Sequence, residues 1–166
     1  CDQILAAALK YNVPARLVKA IIAQESQFWP ESYSPYERGL GNITDNGADL
    51  LLTWNTPYYL QVCLPVYGEA ACKYGFGNLL DKQQEILRRV ILDKVGGDDE
   101  IDVLAALLLA SAEQTGQIVK NQSGKEIAGL VSYIDMWKIT TGNYYAGSGC
   151  IGDAVTDLVK SGEAIT

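Results

Sequence analysis

IIAQESQFWPESYSPYERGLGNIT, residues 21–44, sets one carboxylate, Glu25, at the end of an apolar helical run and a second, Glu37, about a dozen residues later among turn formers. The run begins upstream, in VPARLVKAIIAQESQF (13–28), with Pro14 at a first-turn position and no breaker before Pro30. At about 100° per residue, with Leu17 at zero, Phe28 falls at about 20°, Ile21 at about 40°, Val18 at about 100°, Ile22 at about 140° and Glu25 at about 80°. Glu25 is therefore central on the face that packing would fill with Leu. A carboxylate held there loses hydration, which favours its protonated form, as a general acid working near neutral pH requires. A buried Glu that anchors a loop through backbone hydrogen bonds fits the same position, and helical geometry leaves both roles open.

Outward from this stretch, helical signals dominate. DQILAAALK (2–10) is rich in Ala and Leu, and DNGADLLLTWN (45–55) starts on Asp45 or Asn46 as a cap and ends before Pro57. A Tyr-rich, Cys-bearing segment follows. NLLDKQQEILRRVILDKV (78–95) is amphipathic through Leu80, Ile86, Leu87, Val90 and Ile91, and GGDDE (96–100) stops it and caps a helix running to about Lys120. KEIAGLVSYIDMWKIT (125–140) reads as helix, TGNYYAGSG (141–149) as loop and CIGDAVTDLVK (150–160) as a last short helix. The sum is a mainly α fold with a helical core and a loop or small β region around residues 28–45, where function concentrates.

Composition narrows the classes of function. With 166 residues and 48% hydrophobic content the chain buries one core, so residues 1–166 read as a single domain. A net charge of -7 disfavours nucleic acid, whose binders display basic patches. The longest apolar run, VLAALLLASA (103–112), is shorter than the roughly 20 residues a bilayer needs and reads as a buried helix. Because the chain opens on Cys1 rather than Met, it is expected to come from a longer or processed protein.

Four cysteines without CxxC spacing and no histidine disfavour a zinc site and exclude Ser-His chemistry. No Walker pattern is present, and neither metal nor cofactor is expected. Of three possible connectivities, Cys63 with Cys72 and Cys1 with Cys150 is favoured, which implies an oxidising compartment; free buried thiols are the other reading.

VPARLVKAIIAQESQF followed by SPYERGLGNIT (34–44) resembles the soluble lytic transglycosylase and goose-type lysozyme family, in which a helix ends in Glu-Ser and is followed by a Ser-containing loop and Gly-Leu-Met-Gln-Ile. GNYYAGSGCIGDAV (142–155) resembles the family's later Tyr-Asn-Ala-Gly motif. The resemblance implies a lysozyme-like α+β catalytic domain in which Glu25 is the acid, Ser26 its structural neighbour, and Ser34, Gly39, Leu40 and Asn42 contact substrate. It places Tyr144 near Glu25. Gly41 stands where the family often has Met, Asn42 where it has Gln, Tyr145 where it has Asn, and YERGL (36–40) departs from its Gly-Ala form.

The resemblance further implies cleavage of the β-1,4 bond between N-acetylmuramic acid and N-acetylglucosamine in peptidoglycan, in an extracellular, periplasmic or envelope setting of bacterial or phage origin. Glu25 protonates the leaving oxygen, then acts as base while the sugar's 6-hydroxyl closes a 1,6-anhydro ring. Inverting hydrolysis instead needs a second carboxylate to activate water. Glu37 is the first choice for it, with Asp45 and Asp49 behind; a solvated charge paired with Arg38 is the plainer role for Glu37. A glycan-binding or structural module without turnover, attached to other domains of a parent protein, also fits the departures at Gly41, Asn42 and Tyr145, and chitin is a related substrate. Among the aromatic residues, Tyr133, Tyr144 and Tyr145 are expected near the sugar, with Trp29 and Trp54 next, because flat faces suit pyranose rings.

Overall fold

The structure is a computed structural model that describes residues 2–29 and 36–165. It is mainly α, as expected. The chain divides into two compact units, Cys1–Ala110 and Ser111–Thr166.

In the first unit, α1 (Asp2–Tyr11) packs on α2 (Ala15–Glu25), and α3 (Asp45–Trp54) packs on α4 (Thr56–Cys72) and α5 (Asp81–Lys94). The apolar period of each helix explains which face is buried: Ile4, Ala7 and Ala8 on α1, Val18, Ile21 and Ile22 on α2, Ala48, Leu51 and Leu52 on α3, Leu87, Ile91 and Leu92 on α5. Asn12, at φ 53, ends α1 in the left-handed conformation that Asn tolerates, and Val13 N–H closes the turn on Ala8 O at 3.0 Å. α6 (Glu100–Ser123) opens with apolar residues all round, and Val103 to Leu108 and Ala110 are buried. The expected buried helix at 103–112 is found there.

The N-terminal turn of α6 gathers other elements onto it. Asp102 accepts from Lys10 Nζ at 2.9 Å and from Tyr11 Oη at 2.7 Å, tying down the end of α1. Burial, then this hydrogen bond, holds the Tyr11 phenol well above its ordinary pKa. Asn55 caps α4 through Tyr58 N–H and donates to Ala106 O at 3.1 Å.

One local expectation is corrected here. The cap of α3 is Thr44, whose Oγ1 accepts from Gly47 N–H at 3.2 Å, with Asp45 already in the first turn. The Tyr-rich segment is helical: α4 buries Tyr58, Tyr59, Val62 and Cys63, and breaks at Gly68 (φ 74, ψ 172). Its halves are stapled across the break by the expected Cys63–Cys72 disulfide. Closing so short a loop stabilises the fold by roughly 2–3 kcal/mol.

In the second unit, the later part of α6 is followed by a 3-10 turn (Ile127–Gly129) and α7 (Tyr133–Ser161). The stretch 141–149, expected as loop, is helical apart from Gly147 (φ 82), and the helix expected over 125–140 starts only at Tyr133. Ser132 caps it by accepting from Asp135 N–H at 3.2 Å. Val119, Val155 and Ile165 form the core of this unit, with Ile127, Leu130, Ile139, Ile151 and Leu158 packed around them. Among the described residues the only β structure is one antiparallel bridge, Arg38 with Ile43, in the segment where a small sheet was expected.

Candidate active site

The site begins where α2 stops. Glu25 is its last residue and is half-buried, while Val18, Ile21 and Ile22 behind it are fully enclosed. Phe28, expected on the apolar face at about 20°, is 46% exposed instead. The cause is backbone conformation: Gln27 (φ 53) and Phe28 (φ 64) are both left-handed, so the helix cannot continue. Ser26 is buried and seals the end, its N–H and its Oγ each donating to Ile22 O at 3.0 Å. Two such residues in succession are uncommon outside Gly, and they swing the exposed Phe28 and Trp29 out beside the carboxylate's helix end.

The second element is the tight turn from Arg38 to Ile43. Arg38 N–H donates to Ile43 O at 3.1 Å and Ile43 N–H to Arg38 O at 2.9 Å, while Asn42 N–H bonds Gly39 O at 3.1 Å. Gly39 (φ 66) is required twice over. Its conformation is left-handed, and a Cβ there would lie 2.5 Å from Val95 Cγ1 and 3.0 Å from Glu100 Oε2. Leu40 N–H donates to that same Glu100 oxygen at 3.2 Å. At Gly41 an added Cβ would sit 2.9 Å from Leu104 Cδ1. The space that Met would take at position 41 is thus filled by a Leu from α6, which gives the departure from Gly-Leu-Met a structural reason.

Asn42 (φ 47) joins the two elements. Its Nδ2 donates to the Glu25 backbone carbonyl at 2.7 Å and lies 3.3 Å from Glu25 Oε2. One amide therefore satisfies an orphan carbonyl at the helix C-terminus and steadies the carboxylate on the same residue. An Asn in a left-handed turn reaches both atoms from close range.

The other carboxylates differ in their commitments. Asp49 is held fork to fork by Arg88, with Nε at 2.8 Å and Nη2 at 2.9 Å from its two oxygens. This contact, against the opposing effect of burial, raises the Arg88 pKa above its ordinary value. Arg38, the partner considered for Glu37, has its Nη1 3.7 Å from Asp93 Oδ1. Glu37 is half-buried, and Asp45 is exposed in the first turn of α3. A cleft of about 310 Å³ beside the turn is lined by Tyr36, Arg38, Thr44, Asp45, Asn46 and Leu92.

The structure thus brings Glu25 and Asn42 together, and fixes Gly39 and Leu40 against α6 with the Leu40 amide turned toward Glu100. Ser34 lies outside the described residues. Trp54, the last residue of α3, is half-buried. Tyr133, Tyr144 and Tyr145 belong to the second unit: Tyr133 is 60% exposed and meets Trp137 edge-on, and Tyr144 meets Tyr145 edge-on at 5.2 Å. Cys150 is exposed with a free thiol, and its expected partner Cys1 lies outside the described residues.

Sequence reading missed Glu100 and Leu104, because their role is to meet a turn some sixty residues earlier in the chain. Among the described residues no group of side chains is arranged to hold a metal, and no helix is long and apolar enough to cross a membrane.

No curated protein and no solved structure matches the chain significantly. Residues 2–53 do match a family model, that of the transglycosylase SLT domain, and the match contains α1, α2, the turn and nearly all of α3. Over residues 2–53 the chain therefore bears out the resemblance read from its sequence, to a family whose activity is peptidoglycan cleavage of the lytic transglycosylase type.

Proposed function

We propose that residues 1–166 act as a single lysozyme-like catalytic domain that cleaves the β-1,4 bond between N-acetylmuramic acid and N-acetylglucosamine and releases 1,6-anhydro products. The observation that carries this reading is the Asn42 amide on Glu25, 2.7 Å from its carbonyl and 3.3 Å from Oε2, inside the stretch that matches the family. Held at the solvent-accessible end of α2, the Glu25 carboxyl protonates the leaving oxygen as the oxocarbenium-like centre develops. The carboxylate left behind then takes the proton of the sugar's 6-hydroxyl as that oxygen attacks the anomeric carbon. One carboxylate completes both steps.

The remaining assignments follow from this route. The substrate contacts that the family resemblance implies are assigned to Ser34, Gly39, Leu40 and Asn42 and, in the second unit, to Tyr133, Tyr144 and Tyr145; the exposed Phe28 and Trp29 offer flat faces to sugar rings. The work is done in the cell envelope, the periplasm or outside the cell. Inverting hydrolysis would instead use a second carboxylate to activate water, Glu37 first, with Asp45 and Asp49 behind it.

Mass spectrometry of the soluble products from purified peptidoglycan tests the proposal. Anhydro-muropeptides from the wild type, and none from a folded Glu25→Gln variant, are the expected result. Reducing-end products would replace it by the hydrolase with Glu37 as base, and a wild type that binds without releasing product would make the domain a glycan-binding module.

A further inference from the structure

We infer that Glu100, outside the stretch that matches the family, is a positioning residue for Glu25 and acts through the turn that carries Asn42; the inference rests on the catalytic reading of Glu25. The physical chain is short. Glu100 Oε2 accepts from Leu40 N–H at 3.2 Å and lies 3.0 Å from where a Cβ at position 39 would sit. Gly39 and Gly41 let the turn sit flush on Val95, Gly96 and Leu104, so its backbone follows the first turn of α6 rather than solvent. Gly39 O then receives Asn42 N–H at 3.1 Å, and Asn42 Nδ2 reaches Glu25. Each link is a hydrogen bond or a close contact, and the last is made to the acid itself.

A Glu at the start of a helix also has an ordinary purpose, since its charge complements the positive end of the helix dipole. The two roles ask for different properties. Dipole complementation needs only the charge, whereas holding the turn needs an acceptor at the reach of a Glu side chain. Glu100→Gln keeps the reach and loses the charge; Glu100→Asp keeps the charge and withdraws the acceptor by one methylene.

Both variants, with Asn42→Ala and the Glu100→Asp/Asn42→Ala double variant, are compared by two readouts. The first is the Asn42 side-chain amide signal in nitrogen-15 correlation spectra, which needs no turnover. The second is kcat and KM for peptidoglycan cleavage.

In Glu100→Asp the Asn42 amide signal is expected to shift, and kcat to fall roughly tenfold or more while KM stays within about twofold, as misplaced catalytic groups do. Glu100→Gln is expected to restore most of that loss, and the double variant to lose no more than Asn42→Ala alone, because both changes break one chain of contacts. The inference is overturned if Gln is as damaging as Asp, if the losses multiply in the double variant, or if the Asn42 signal stays put in Glu100→Asp. Should the wild type cleave nothing, the catalytic reading falls separately, and the Asn42 signal alone decides whether Glu100 holds the turn.

Discussion

Asn42 is the residue that holds the Glu25 side chain to the turn, and its amide has two acceptors to lose at once. Asn42→Ala frees the Glu25 carbonyl to water and leaves the carboxylate without its donor. Because the site is partly solvated, the cost in stability is modest, about 1 kcal/mol, and the larger effect falls on turnover. A tenfold or greater fall in kcat, measured with a thermal midpoint close to wild type, is the expected outcome; an unchanged kcat would show that the amide is only a helix cap. Gly41 makes a second expectation. Gly41→Met overpacks the turn against Leu104 and costs about 1–3 kcal/mol, and Leu104→Ala in the same chain opens space for it. Thermal midpoints of the two single variants and the double variant check whether the changes compensate. At this scale the sequence offered Glu25 and Asn42, which the structure brings within hydrogen-bond reach of each other. It hid Leu104, because a side chain that fills another residue's absent side chain leaves no local pattern.

Among the elements, helices were legible wherever the apolar period was clean, as for α1, α2, α3, α5 and α6, although α2 stops at Glu25 rather than near Phe28. They were obscured wherever a few residues contradicted it. Pro65 and Gly68 disguise α4, although Tyr58, Tyr59, Val62 and Cys63 bury one side of it. Gly142, Gly147 and Gly149 made 141–149 read as loop, yet only Gly147 leaves the helical region. Packing decides that segment: Asn143, 98% buried, donates through Nδ2 to Ser111 O, to Gln114 Oε1 at 2.9 Å and to Thr115 Oγ1 at 3.1 Å, contacts that a loop would not align. The paired polar residues Ser111 and Thr115, four apart on α6, were the available signal. At the other end of the site, α3 depends on a cap that Asp45 and Asn46 concealed. Thr44→Ala is expected to cost about 1 kcal/mol in a denaturant titration, whereas Asp45→Ala costs less; the reverse order would return the cap to Asp45.

For the molecule as a whole, the acidic balance read from composition is real, but local chemistry overrides it in the buried phenols. Tyr11, Tyr58 and Tyr59 all have pKa values above the ordinary 10.0, burial being the first cause in each. The native chain keeps these protons after the unfolded chain has given them up. Their contribution to stability is therefore complete below about pH 10 and falls as pH rises beyond it. A thermal midpoint that holds between about pH 8 and 9 and drops steeply above about pH 10 is expected; Tyr11→Phe, which has no phenol to titrate, should soften the drop. The matched stretch, residues 2–53, holds Glu25 and the Asn42 amide, but the surface on which their turn rests belongs to α6. This has a consequence for the order of events on the ribosome. A nascent chain that has emerged only as far as α3 contains Glu25 and Asn42 without the scaffold that sets their spacing. The turn that carries Asn42 gains its resting surface only after residues 100–104 have been made and folded back, so on the role proposed for Glu25 the site is completed late in synthesis.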